Sequence, residues 1–288
     1  MRRYGVDKNI QLLLNQKLTD LEEFFKADFL VYYGGIVNGV EEHLLTIVED
    51  LVSDNSKKDK KIYIILTTGG GSATTVERFV NILRYHYEEV NFIVPDYAYS
   101  AGTIFCMSGD NIYMDYFSVL GPIDPQVQSK DGKWVAALGY LDKVNELIEK
   151  ARNGVLTQPE FLILKDLDLA ELREYEQAKN LTIDLLKKWL VKYKFKNWTQ
   201  KETSKTPVTE DDKIKRAEEI ADKLSNSNEW KSHGRPINIE TLENHLNLKI
   251  VDYSGKKYRV LIREYYELLS DYVEKNNLKI FIHTRKFI

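Results

Sequence analysis

The stretch KIYIILTTGGGSATTVERFVNILRYHYEEVNFIVP, residues 61–95, decides the fold because its character changes twice along its length. "KIYIILTT" is apolar and rich in β-branched residues without alternation, the pattern of a strand buried on both faces. Three glycines follow, and "SATTVERFVNILRYHYEE" reads as a helix. "VNFIVP" then reads as another buried strand. Strand, turn, helix, strand is a βαβ unit, which implies a parallel sheet.

Upstream, "DFLVYYGGI" (28–36) and the helical "EEHLLTIVEDLV" supply a further strand and crossover. Downstream, "YAYSAGTIFCMSG" predicts a short buried helix after Ser100, and "NIYMD" a fourth strand. Ligands of such sheets bind beyond the carboxyl ends of the strands, where Gly69–Gly71 and Ser100 both fall. The fold class is α/β with a repeated parallel-sheet core at 28–130. A helix precedes it (1–27), a helical region follows (131–230), and a C-terminal segment (231–288) ends in a helix and strand. In the helical region, "KWVAALGYLDKVNELIEKA" and "LDLAELREYEQAKNLTIDLLKKWLVKY" read as amphipathic helices. A further one follows Thr209, whose hydroxyl is placed to cap a first turn filled with acids.

Composition narrows the function classes. The chain of 288 residues carries 41 basic and 44 acidic residues, so no overall field favours nucleic acid or an anionic membrane. A single cysteine, Cys106, excludes a disulfide framework, suits a reducing compartment and sits where inert core is expected. No apolar window is long enough to span a bilayer, and the N-terminus lacks a signal-peptide core, so a cytoplasmic location is expected. Leu12, Leu14, Leu18, Leu21, Phe24 and Phe25 share roughly one helical face, which would dock on the body or a partner subunit. One basic, aromatic stretch, "KKWLVKYKFKNWTQK" (187–201), is either a strand-gripping surface or the lysine-rich end of a helix.

Several residues invite chemistry, each with a plainer role beside it. The GGG turn lacks Walker and dinucleotide spacing; it is a tight βα turn or a source of oxyanion-binding amides. Ser100, in A-Y-S-A-G, is a nucleophile on a strand–helix elbow or a helix cap. Small Ala101 and Gly102 would leave room for substrate above it. His43, His86, His245 and His283 lie in helices or the closing strand and read as structural. His233, in the loop "KSHGRPI", can be aimed from a fixed backbone, or is an ordinary loop histidine. Asp124, in "LGPIDPQ", can orient a base or form an Asx turn. No His, Cys and acid cluster has metal-ligand spacing.

"LTTGGGSATTVERF", "YAYSAGTIFCMSGDNIYMDYFSVLGPIDPQ" and "SHGRPI" together resemble the Clp-type serine protease and crotonase superfamily, within it the serine dehydrogenase proteinase family. The resemblance runs from about Asp28 to about Asp252 and implies no dehydrogenase chemistry, since no nicotinamide fingerprint is present. It implies Ser100 as nucleophile, with the Gly71 and Ala101 amides as oxyanion donors and Gly70 and Gly102 supporting the loops. The histidine of the Clp pattern falls on Asp124, and its aspartate falls on His233, so the two partners stand exchanged. Relatives using a serine and a lysine make Lys133 or Lys143 rival bases. The resemblance implies a serine peptidase needing no cofactor, acting on peptides or proteins as a homo-oligomer, without nucleic acid. The alternatives are a catalytically inactive peptide- or partner-binding module and a crotonase-like acyl-CoA enzyme.

Overall fold

A computed structural model describes residues 2–53, 60–124, 126–128 and 134–286. In chain order its strands are β1 (Asp28–Gly34), β2 (Lys61–Thr67), β3 (Glu89–Val94), β4 (Tyr97–Ala98), β5 (Asn111–Met114), β6 (Val119–Leu120), β7 (Gln126–Gln128), β8 (Trp134–Ala136), β9 (Val251–Asp252) and β10 (Ile280–His283). The helices that frame the core are α1 (Arg2–Phe25), α2 (Glu41–Val52), α3 (Ala73–His86) and α4 (Ala101–Met107). Beyond it lie α5 (Ala137–Arg152), α6 (Gln158–Lys165), α7 (Leu169–Trp189), α8 (Glu210–Ser225), α9 (Ser227–Trp230), α10 (Ile239–Asn244) and α11 (Arg259–Lys275).

The main sheet runs β10-β1-β2-β3-β5-β9. All pairings are parallel except β1 with β10, where Val31 faces His283, so the closing strand departs from the all-parallel expectation. Successive strand residues point to opposite faces, and here each face has its own core. Leu30, Tyr32, Ile62, Ile64, Leu66, Phe92 and Val94 pack with helices α2, α3, α4, α7 and α8. Phe29, Val31, Tyr63, Ile65 and Ile93 pack with α1 and α11. Burial on both faces is why these strands read as apolar runs without alternation.

Helix α1 docks on its own chain through Leu14, Leu18 and Leu21, all fully buried. Leu12 and Phe24, expected on that face, point outward, 58% and 52% exposed. Thr209 caps α8 in a reciprocal box with Asp212. Residues 134–136, expected to be helical, instead form β8, paired antiparallel with β7 through Val127 and Val135. Helix α7 ends at Trp189 in a π-turn over Leu190–Lys194, closed by the Phe195 amide donating to Leu190 O at 2.8 Å.

Candidate active site

A second, short row of strands crosses the carboxyl end of the main sheet and organises the site. Thr68, just after β2, bridges Ala98 of β4 in parallel; Ala98 pairs with Leu120 of β6, and Leu120 bridges Ile237 antiparallel. Backbone bonds fix the outermost rung, Leu120 N to Ile237 O at 3.0 Å and Ile237 N to Leu120 O at 2.9 Å. Chain direction then matters. Gly69–Gly71 follow Thr68, Ser100 follows Ala98, and Asp124 follows Leu120, while His233 precedes Ile237 on the one antiparallel member. All four segments therefore leave the row at the same end. Adjacent members stand about 4.8 Å apart, so the Asp124 segment lies between those of Ser100 and His233.

Asp124 and His233 meet. His233 Nδ1 lies 2.6 Å from Asp124 Oδ1, with the carboxylate side chain 4% exposed beneath an imidazole that is 27% exposed. A carboxylate can only accept, so Nδ1 carries the proton and donates it, leaving Nε2 as the basic nitrogen. Asp124 is held from behind by Ile123, whose amide donates to Leu224 O of α8 at 3.0 Å.

Ser100 precedes α4 with φ 54° and ψ −117°, a left-handed conformation that non-glycine residues rarely adopt. It occupies the cap position yet its side chain makes no capping bond. The cap reading therefore fails, and the chain turns sharply at a hydroxyl that bonds nothing within it. Among the described residues Ser100 Oγ has no hydrogen-bond partner, and none joins it to His233.

The glycines divide by role. The parallel bridge of Ile36 with Gly71 uses Gly70 O, which accepts from Ile36 N at 2.9 Å, and Ser72 N, which donates to Ile36 O at 2.8 Å. A residue at the centre of a parallel bridge turns its own N–H away from that partner. The Gly70 amide is taken by Thr68 Oγ1 at 3.0 Å. Among the described residues, neither the Gly71 nor the Ala101 amide has an acceptor.

A Cβ on Gly71 would stand 2.0 Å from Ile36 O, and one on Gly70 2.8 Å from Ser100 Cβ. Gly71→Ala is therefore a steric lesion before it touches any amide. Gly102 is bare for packing and not for substrate access: its Cβ would meet Thr68 Cγ2 at 2.4 Å, and Ala101 is 2% exposed.

Thr103, not singled out in the sequence, ties the row together. Its buried hydroxyl lies 2.9 Å from Ala98 O and 2.8 Å from Gly121 O, and it accepts from Gly121 N at 3.0 Å. Gly121 lets this strand approach closely, since a Cβ there would meet Tyr99 Cδ1 at 2.2 Å. The signals were a hydroxyl inside the apolar run "GTIFCM" and the Gly121-Pro122 pair.

Of the rival bases, Lys133 lies outside the described residues. Lys143 is 62% exposed on α5 and paired with Glu146 at 2.8 Å, without the burial a neutral lysine base requires. Cys106 is fully buried, and burial pushes its thiol well above the ordinary range. His245 is bonded to Glu229, and His283 is locked between Tyr265 and Asn15. Among the described residues no group of three or more His, Cys, Asp or Glu residues is arranged to hold a metal ion.

A mostly parallel α/β sheet with a strand–helix elbow and a glycine turn at the strand ends defines a Clp-like fold. The chain belongs to the ClpP-like SDH-type serine proteinase family, whose model matches residues 52–215, more than half its length. Two uncharacterized proteins of Methanocaldococcus jannaschii are similar. MJ1495 is 32% identical over 134 residues, 46% of this chain and 41% of that protein. MJ0137 is 37% identical over 70 residues, 24% of each. The chain thus aligns with less than half the length of either relative.

Among solved structures, a Ser→Ala variant of the 1510-N membrane-bound stomatin-specific protease superposes with a TM-score of 0.44 at 15% identity, covering 77% of this chain and 76% of that one. The ClpP catalytic domain from Plasmodium falciparum gives 0.29 at 18% identity, over 35% of this chain and 59% of that one. Among the described residues no helix is long and apolar enough to cross a membrane.

Proposed function

We propose that the protein hydrolyses peptide bonds through an acyl-enzyme on Ser100. The observation that carries this reading is the buried Asp124 beneath His233, at 2.6 Å, on the same end of the row as the idle hydroxyl of Ser100. His233 Nε2 takes the Ser100 proton as Oγ attacks the scissile carbonyl carbon. The resulting oxyanion accepts from the Gly71 and Ala101 amides. The imidazolium, stabilised by Asp124, then protonates the leaving amine as the C–N bond breaks. His233 then deprotonates a water that attacks the acyl carbon, and the imidazolium gives that proton to Ser100 Oγ as the ester C–O bond breaks. The hydrogen bond from Ser100 to His233 forms on substrate binding, since such contacts tighten in the Michaelis complex. Peptides or extended protein segments are the substrates, a homo-oligomer is the working form, and the setting is cytoplasmic.

The test is reaction with a serine-directed fluorophosphonate, read by intact mass and peptide mapping. Labelling of Ser100, lost in His233→Ala, supports the triad, and Ser100→Ala, His233→Ala and the double variant should lose peptidase activity to similar, non-additive extents. A folded protein that neither labels nor cleaves would sink the reading in favour of an inactive binding module. Normal labelling in His233→Ala would move the base elsewhere.

A further inference from the structure

The stretch 187–201 and the far end of the sheet converge on a pocket that the peptidase reading leaves unused. It has a volume of about 370 Å³ and is lined by Lys60, Arg84, Tyr85, His86, Lys192 and Lys196, among others. Helix α3 begins beside Gly71 and its C-terminal end supplies Arg84, Tyr85 and His86. Fourteen helical residues span about 21 Å, so the pocket is remote from Ser100.

Its charge is unbalanced. Lys60 pairs with Glu88 at 3.1 Å, but both side chains are largely exposed, 64% and 77%. Arg84 is anchored to Asp110 at 2.9 Å and stacks over the Tyr193 ring at 3.8 Å. Lys196 converges on the same Asp110 carboxylate. Lys192 has no carboxylate partner among the described residues, and Lys194 Nζ reaches only Asp110 O at 3.5 Å. Five cations thus share two carboxylates, Glu88 and Asp110, in a chain that is acidic overall. Burial pulls the Lys194 ammonium down to about 8, against the opposing pull of Asp110 and with Lys249 adding repulsion. Lys192 lies within the π-turn at Leu190–Lys194, and Lys196 follows two residues after it.

We propose that this pocket binds a small phosphate-bearing anion, with Lys60, Lys192 and Lys196 meeting the phosphate oxygens. The volume lies within the range of small-ligand sites. Tyr85, 84% exposed and edge-to-face with His86 at 4.9 Å, offers a flat ring to a ligand that carries one. A nucleic-acid strand fits less well. Trp189 and Phe195 are buried at 1% and 8%, and Tyr193 lies under Arg84, so the stretch presents no ladder of free rings for stacking bases.

Calorimetric titration of the full chain at low salt with pyrophosphate, ATP and a thymidine oligonucleotide tests this. Saturable binding of pyrophosphate or ATP is expected. ATP binding more tightly than pyrophosphate identifies a nucleotide as the source of the phosphate, and equal affinities identify free polyphosphate. The Lys192→Gln/Lys196→Gln variant should weaken binding about tenfold or more. Should that variant melt early, Lys192→Glu, which leaves the Asp110 pairs intact, must show the same loss. Absence of saturable binding at millimolar ligand, unchanged affinity in the variants, or tighter binding of the oligonucleotide would overturn the proposal. Binding persisting in Ser100→Ala keeps the result separate from the peptidase reading.

Discussion

Acidification should destabilise this protein through one buried histidine before its carboxylates titrate. His283 of β10 is fully buried: Tyr265 of α11 donates to Nδ1 at 2.7 Å, and Nε2–H donates to Asn15 Oδ1 of α1 at 2.8 Å. Both ring nitrogens are committed to a neutral imidazole, and burial lowers its pKa from 6.5 to about 3. In the unfolded chain the same group protonates near pH 6.5. Below that value the unfolded state binds a proton that the folded state refuses, so stability falls as pH falls. The full contribution is present above pH 6.5 and drains towards pH 3 at about 1.4 kcal/mol per unit. Between pH 7.5 and 5 the loss is about 2 kcal/mol, a large part of an ordinary folding margin of about 5–15 kcal/mol.

Urea unfolding of wild type and His283→Gln at several pH values measures it, since glutamine can accept from Tyr265 and donate to Asn15 without titrating. The stability difference between the two proteins should shrink by about 2 kcal/mol from pH 7.5 to 5. A difference that stays constant across that range would refute the reasoning.

Two further outcomes test the candidate site. Asp124→Asn, whose amide can donate to Nδ1 and force the proton onto Nε2, should lower peptidase turnover by roughly 10²–10⁴ while retaining more activity than Ser100→Ala; unaltered turnover would remove Asp124 from the machinery. Thr103→Val strips the partners from Gly121 N and the nearby carbonyls and should cost about 1–3 kcal/mol in chemical denaturation, with activity falling as the row loosens. An equally stable, fully active Thr103→Val protein would show that the row does not need this tie.

What could be read in the sequence was what local chemistry governs. Apolar runs without alternation betrayed strands buried on both faces, and the Thr209 cap was visible as a hydroxyl before a helical pattern. Ser100, Asp124 and His233 were legible as candidates because each sits among residues that bend the chain. That the last two are partners came only from the family resemblance and not from local chemistry, because their contact depends on the single antiparallel rung between Leu120 and Ile237, more than a hundred residues apart. Gly102 was misread for a related reason: a missing side chain looks the same in sequence whether it admits a ligand or a neighbouring Thr68. The strand at 134–136 escaped notice because three residues carry too little periodicity to outweigh the helix that follows them.

The two cores on opposite faces of the sheet also give the molecule two optical signatures. Trp189, Trp198 and Trp230 all belong to the face that carries α7 and α8. On the α1 and α11 face the aromatic chromophores are phenylalanine and tyrosine: Tyr63, Tyr253, Tyr265, Tyr266 and Tyr272 lie within it, and Tyr33, Tyr113 and Tyr258 pack against it. Emission from these three tryptophans therefore reports one half of the interior, while tyrosine absorbance among the described side chains is weighted towards the other. Melting curves from the two chromophores coincide only when both halves lose their packing together. Any separation between them measures how far the α1–α11 layer behaves as its own cooperative unit.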